Sequence, residues 1–227
     1  MPIIAGLSSY DEIDMKALVT GFEPFERDRV NPSLEALRLL PPRLGALDIA
    51  TAPLPVVFGA ALSALREAID ATAADLVLSV GLAGGRAELS LERVAVNIDD
   101  ARIPDNDGNR PIDRPVVAGG PAAYFATLPI KAAVAALREA GLPAAVSNTA
   151  GTFLCNHVFY GLMHEAERAA KPFRAGFLHV PYLPSQAALQ PGAPSMALEH
   201  IVEGIEIILA TAASRIDDLA VSEGAIS

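Results

Sequence analysis

Apolar runs of strand length alternate with amphipathic runs of helix length along most of the chain. The first pair is ALV, Ala17 to Val19, followed by NPSLEALRLL, where Asn31 can cap a helix and Pro32 suits its first position. The pattern then predicts a strand near LDIATAPLPV, a helix near FGAALSALREAID, a strand at DLVLSV, a helix near PIKAAVAALREAG and a strand at PAAVS. A helix opening within NTAGTFLCNHVFYG, a strand at RAGFLHV and a helix over MALEHIVEGIEIILATAA complete the series. Repeated strand–helix units build a mainly parallel sheet covered on both faces, so the expected class is α/β, with the site in loops at the carboxyl ends of strands.

One stretch breaks the rule. In ELSLERVAVNIDD the apolar positions Leu89 and Leu91 are odd-numbered, whereas Val94, Val96 and Ile98 are even-numbered. A period-2 strand cannot keep one buried face through that change, which predicts a bulge or turn at Glu92 and Arg93. Ala101 to Gly120 is dense in Pro, Gly, Asp and Asn and reads as a loop, a candidate lid. Residues 1–15 read as a loose extension without the cationic start or apolar stretch of a signal peptide, and 16–227 as a single domain.

Composition narrows the function classes. Hydrophobic residues are 52% of the chain and charged ones 19%, ample for a core and against global disorder. The net charge of −10, with no basic run, argues against a nucleic-acid partner. Gly141 to Met163 carries no formal charge, but it contains Pro143, Ser147, Asn148, Thr149, Asn156 and His157, so no membrane span is expected there. A lone cysteine forms no intrachain disulfide and fits a reducing compartment, the cytoplasm.

That cysteine, Cys155, is also the first chemical candidate. With Thr152 as the cap it falls in the first turn of a helix, whose unsatisfied N–H groups favour a thiolate. A free cysteine is equally at home as a small buried hydrophobe. A thiol hydrolase also needs a proton shuttle. His157 sits two residues from Cys155 on the same helix and should face elsewhere, while His164 and His200 have charged helical neighbours. His179 closes RAGFLHV at a strand end and is the best placed, with a structural histidine as the alternative. Glu92, at the register break, is the candidate acid to orient it. Arg86 and Arg102 can aid substrate or oxyanion binding, or serve as surface ion-pair residues. GLAGGR fits no nucleotide fingerprint, PDNDGN misses the calcium-loop spacing, and no His or Cys pair has zinc spacing, so neither cofactor nor metal is expected. Two other classes remain open on these residues: an enzyme of nucleoside phosphorolysis, and a binding protein with an inert thiol.

Several segments together resemble the pyroglutamyl peptidase I family, the pyrrolidone-carboxylate peptidases: TGFEPF with NPS, GLAGGR, ERVAVNIDDARIPDNDG, SNTAGTFLCNH and FLHVPYLPSQ. They occur in the family's order from about Lys16 to Ala213. The resemblance implies a three-layer α/β/α fold, phosphorylase- or hydrolase-like, and a cysteine exopeptidase acting on peptides with N-terminal pyroglutamate. It implies a triad of Cys155, His179 and Glu92, with Phe22, Phe25 and Phe153 lining the pocket for the pyrrolidone ring and Asn31 and Arg102 near it. It also implies a homotetramer and no cofactor. Leu82 stands where many relatives carry Gln: a ring held there by backbone groups tolerates Leu, and a ring held by a Gln amide does not.

Overall fold

The computed structural model describes residues 15–25 and 28–224. The described residues begin with strand β1 (Met15–Phe22), which takes in the last residue expected of the extension; the rest of that extension, 1–14, lies outside the described residues. Helix α1 (Pro32–Leu39) follows, capped by Asn31 as its sequence predicts, the Asn31 carbonyl accepting from Ser33 N at 3.2 Å. Next come β2 (Arg43–Leu44), β3 (Leu47–Leu54), α2 (Ala60–Thr72) and β4 (Leu76–Leu82). Then β5 (Leu89–Glu92), β6 (Val94–Val96), β7 (Ala123–Phe125), α3 (Ile130–Glu139), β8 (Ala144–Ser147) and α4 (Leu154–Arg168) precede β9 (Arg174–Val180), α5 (Pro184–Ala187) and α6 (Leu198–Ser214).

Seven strands form one sheet in the order β2-β3-β1-β4-β9-β5-β8. The strands β3, β1, β4 and β9 run parallel, and β1, β4 and β9 are buried along almost their whole length. Continuous apolar strands of this kind belong to a parallel sheet covered on both faces. One face packs on α1, α3 and α6 through residues such as Leu37, Leu137, Ile205 and Leu209; the other packs on α2 and α4 through Leu62, Leu65, Val158 and Phe159. The result is the α/β/α layering expected from the alternation of elements.

The parity change at Glu92 and Arg93 has a different structural cause from a bulge in one strand. All four residues of β5 are buried, so the strand has no solvent face, and after Arg93 the chain leaves for a separate two-stranded sheet made of β6 and β7. The β5 strand is also antiparallel to its neighbour β9. Only residues 83–88 separate β4 from β5, too few for the crossover that a parallel return requires. The stretch 101–120 is a fastened loop rather than a free flap. Asp99 and Arg114 exchange backbone hydrogen bonds of 2.6 and 3.0 Å, Ala101 N donates to Pro111 O at 2.8 Å, and Asn106 N donates to Val56 O at 3.0 Å.

Helix α6 approaches the sheet through Gly204, where an added Cβ would lie 2.4 Å from Leu89 Cδ1, and Leu89 is fully buried. Gly204→Ala should therefore destabilise the protein by roughly 1–3 kcal/mol, although alanine is the better helix former. Urea unfolding measures this, and a variant more stable than the parent contradicts the packing described.

Candidate active site

Strand register brings Glu92 and His179 together. In the antiparallel β5–β9 pair, Ser90 faces His179 and Glu92 faces Phe177, which makes Glu92 and His179 diagonal neighbours on one face of the sheet. Their side chains close that diagonal, with His179 Nδ1 2.7 Å from Glu92 Oε1. The same oxygen accepts from Arg86 Nη1 at 2.8 Å, while Arg86 Nη2 donates to Thr149 O at 3.2 Å. Glu92 is fully buried, so a carboxylate there needs these partners, and Arg86 supplies the opposite charge. Arg86 is thus an ion-pair residue, as one reading of it allowed, but its partner is the candidate acid and the pair is buried on the acid's side.

Cys155 is the second residue of α4, within its first turn. The expected cap is corrected: Phe153 occupies the N-cap without a side-chain bond, because the Thr152 hydroxyl donates to Asp100 O at 2.9 Å. The helix start is held instead by Asn156, whose amide accepts from Val96 N at 3.0 Å and donates to Val96 O and Ile98 O, each at 2.9 Å. The thiol rests on β4 at Gly81, where an added Cβ would stand 2.9 Å from both Cys155 Sγ and Phe177 Cζ. Gly81 pairs with His179 in the β4–β9 register, so the strand that receives the sulfur sets the imidazole beside it. With Nδ1 turned to Glu92, the other ring nitrogen is left for Cys155, whose thiol lies close enough to act on the charge of the imidazole. Burial alone pulls the His179 pKa down, but the anionic Cys155 and the bonds to Cys155 and Glu92 outweigh it and raise the value from 6.5 to about 9.

The thiol opens onto a cavity of about 310 Å³. The residues that the resemblance implied for the pocket line it, Phe22, Phe25, Asn31, Leu82, Arg102 and Phe153, joined by Tyr182 and Gly84, whereas Arg86 does not. Phe25 and Phe153 pack with ring centroids 5.5 Å apart. The Asn31 amide is already occupied, accepting from Ser33 and donating to Glu23 O at 3.1 Å, so Asn31 shapes the wall rather than offering a free group. Leu82 is the last residue of β4, and Tyr182 packs so closely on Gly84 that an added Cβ would lie 2.3 Å from its hydroxyl.

The remaining histidines stand apart. His164 Nδ1 pairs with the Tyr124 hydroxyl at 2.9 Å, His200 lies on α6, and His157 is bonded to Asp99. Among the described residues no group of three or more His, Cys, Asp or Glu is placed to hold a metal ion, and no helix is long and apolar enough to cross a membrane. In PDNDGN, Asp105 instead accepts from Phe58 N at 2.8 Å and from Asn109 N at 2.8 Å.

The chain is similar to proteins of known kind over nearly all of this architecture. A sequence model of the family described as pyroglutamyl peptidase matches residues 15–215. The pyrrolidone-carboxylate peptidase of Cupriavidus taiwanensis is 60% identical over 199 residues, 87% of this chain and 92% of that protein. Its counterpart in Erwinia tasmaniensis is 54% identical over 211 residues, 92% and 98% of the two chains. Among solved structures, pyroglutamyl peptidase I from Bacillus amyloliquefaciens superposes with a TM-score of 0.90 at 48% identity, covering 92% of this chain and 100% of that one.

The contact between His179 and Cys155 has a titration signature. Because the folded pKa lies above the unfolded value, the stabilisation from the charged imidazole is complete below about pH 6.5 and is lost as the pH rises through about 9. In Cys155→Ala the anionic neighbour is gone, so the His179 ring, followed by NMR, should titrate at lower pH than in the parent. An unchanged titration rejects the pairing. Gly81→Ala should slow iodoacetamide labelling of Cys155 by about tenfold or more, because its Cβ displaces the sulfur; parent-like labelling contradicts the contact.

Proposed function

The chain belongs to the pyroglutamyl peptidase family, and on that premise we propose that it removes N-terminal pyroglutamyl residues through Cys155 as nucleophile, His179 as proton shuttle and Glu92 as orienting acid. As a member of that family it is a cysteine-type hydrolase. The observation that carries the finer reading is the connected series Cys155–His179–Glu92 opening on a cavity walled by Phe22, Phe25 and Phe153.

The chemistry follows from these groups. The Cys155 sulfur attacks the carbonyl carbon that joins pyroglutamate to the next residue, forming a C–S bond. His179 gives its proton to the departing amine as the C–N bond breaks, leaving a thioester on Cys155 and a neutral imidazole. That imidazole takes a proton from water, the hydroxide adds to the thioester, and the C–S bond breaks to restore the thiolate and the imidazolium. Glu92 keeps Nδ1 protonated and the ring oriented throughout, with Arg86 holding the carboxylate. Backbone N–H groups near Cys155, together with the exposed guanidinium of Arg102 on the cavity, receive the oxyanion. No metal or organic cofactor enters any step.

Substrate choice rests on the neutrality of the lactam. An apolar slot with one donor and one acceptor accepts a pyrrolidone ring, whereas a free N-terminal amine would bury an unpaired charge. Leu82 is compatible with a ring held by backbone groups at the end of β4. The same proposal includes a single domain over 16–227, supported by both hydrophobic clusters backing onto one sheet. Cytoplasmic residence and a homotetramer complete it; the exposed Ile112, Phe125 and Leu189 suit association.

Cys155→Ser should abolish release of a chromogenic amine from a pyroglutamyl amide while leaving the circular dichroism unchanged. Near-normal turnover removes Cys155 from the mechanism. His179→Ala should lower kcat by about 10²-fold or more with a smaller change in KM; unchanged kcat rejects the shuttle.

A further inference from the structure

His157 is a buried histidine two residues after the nucleophile that takes no part in this chemistry. Its Nδ1 lies 2.8 Å from Asp99 Oδ2, and Asp99 is buried as well. Its Nε2 accepts a hydrogen bond of 3.1 Å from the backbone N–H of Gly59. A ring nitrogen that accepts from an N–H carries no proton, so the ring is the neutral tautomer with its proton on Nδ1, donated to Asp99. With both nitrogens engaged, His157 is a clamp between three chain segments: the first turn of α4, the stretch before α2, and the loop after β6 at Asp99.

The clamp leads to the pocket. Phe58, next to Gly59, meets the His157 ring edge-on with centroids 5.1 Å apart and meets Phe153 edge-on at 5.4 Å. Phe153 meets Phe25 at 5.5 Å, and these last two rings face the cavity that Cys155 opens on. Phe58 therefore stands behind the wall, and Gly59, left-handed at φ 77°, is the point where its backbone is tied. Asp105 fastens the same residue from the other side through Phe58 N at 2.8 Å.

Resting on the functional reading above, we infer that His157, held by Asp99, is a positioning residue that fixes the aromatic wall of the ring pocket and so sets affinity for the pyroglutamyl ring. Its action reaches the substrate through Phe58 and Phe153. It leaves the reactivity of the thiol alone, because the hydrogen bonds joining Cys155, His179 and Glu92 include none of these groups. A wall that shifts by a fraction of an ångström loses fit to a small rigid ring before it disturbs the chemistry.

The test compares His157→Phe, which keeps a ring and removes both hydrogen bonds, with His157→Gln, whose side-chain carbonyl can still accept from Gly59 N. For His157→Phe, KM for a pyroglutamyl chromogenic amide and Ki for 2-pyrrolidone as competitor should each rise about tenfold, the scale of one lost neutral hydrogen bond. Its kcat and its rate of iodoacetamide labelling should stay within about twofold of the parent, and His157→Gln should recover most of the affinity. Parent-like KM and Ki in His157→Phe overturn the inference. So does a loss that falls equally on kcat or on labelling, or a Gln variant no better than Phe. If His157→Phe does not fold, Phe58→Leu, which removes the ring between His157 and Phe153, should give the same split, and unchanged affinity there overturns the inference too. A parent enzyme inert toward the amide rejects the functional reading itself, which separates the two failures.

Discussion

One carboxylate oxygen, Glu92 Oε1, holds the site in shape. It accepts a hydrogen bond from His179 Nδ1 at 2.7 Å and another from Arg86 Nη1 at 2.8 Å, at a position with no solvent exposure. Charges removed from water are costly unless they are paired and hydrogen-bonded, and here the Glu92 carboxylate meets both the Arg86 guanidinium and the His179 imidazole. Against the burial that opposes its charge, Cys155 and Glu92 raise the His179 pKa.

That arrangement depends on the sheet more than on any loop. The diagonal between Glu92 and His179 exists because β5 runs antiparallel to β9, and a slip of one residue would turn the carboxylate to the opposite face. Gly81 lies next to His179 on the neighbouring strand and is the only kind of residue that lets the sulfur rest there. The start of α4 is then fastened on two sides. Asn156 binds the end of β6 and Ile98 just after it, and His157 binds Asp99 and the stretch carrying Phe58. Cys155 and Phe153 share the start of α4, yet each has its own set of contacts.

The strands and helices of the sheet core were legible because their signal is local: apolar runs in β1, β4 and β9, and Asn31 with Pro32 opening α1. The break at Arg93 was also visible, as a parity change, but parity cannot tell a bulge from a change of sheet. The antiparallel setting of β5, the short β7 and the fastening of 101–120 come from pairing between distant segments, which leaves little trace in composition, and the two residues of β2 are too few to show a period. At the site, Cys155, His179 and Glu92 were each marked by position, while their union was suggested by likeness to a family. Arg86 was visible only as a cation of uncertain use, since nothing in GLAGGR says that its side chain returns to a residue six positions later. Thr152 was misread as a cap because its hydroxyl has a partner 52 positions away. The spacing of His157 from Cys155 says only that it faces elsewhere; its engagement with Asp99 and Gly59 has no sequence signal at all.

The central claim is covalent: the pyroglutamyl group passes through the sulfur of Cys155. Acid quenching during turnover of a pyroglutamyl ester, followed by mass spectrometry of the digested protein, tests it directly. The account predicts one pyroglutamyl acyl group on the peptide that contains Cys155, formed at a rate no slower than steady-state release of acid. Turnover with no adduct on that peptide, or with the acyl group carried elsewhere on the chain, would contradict it.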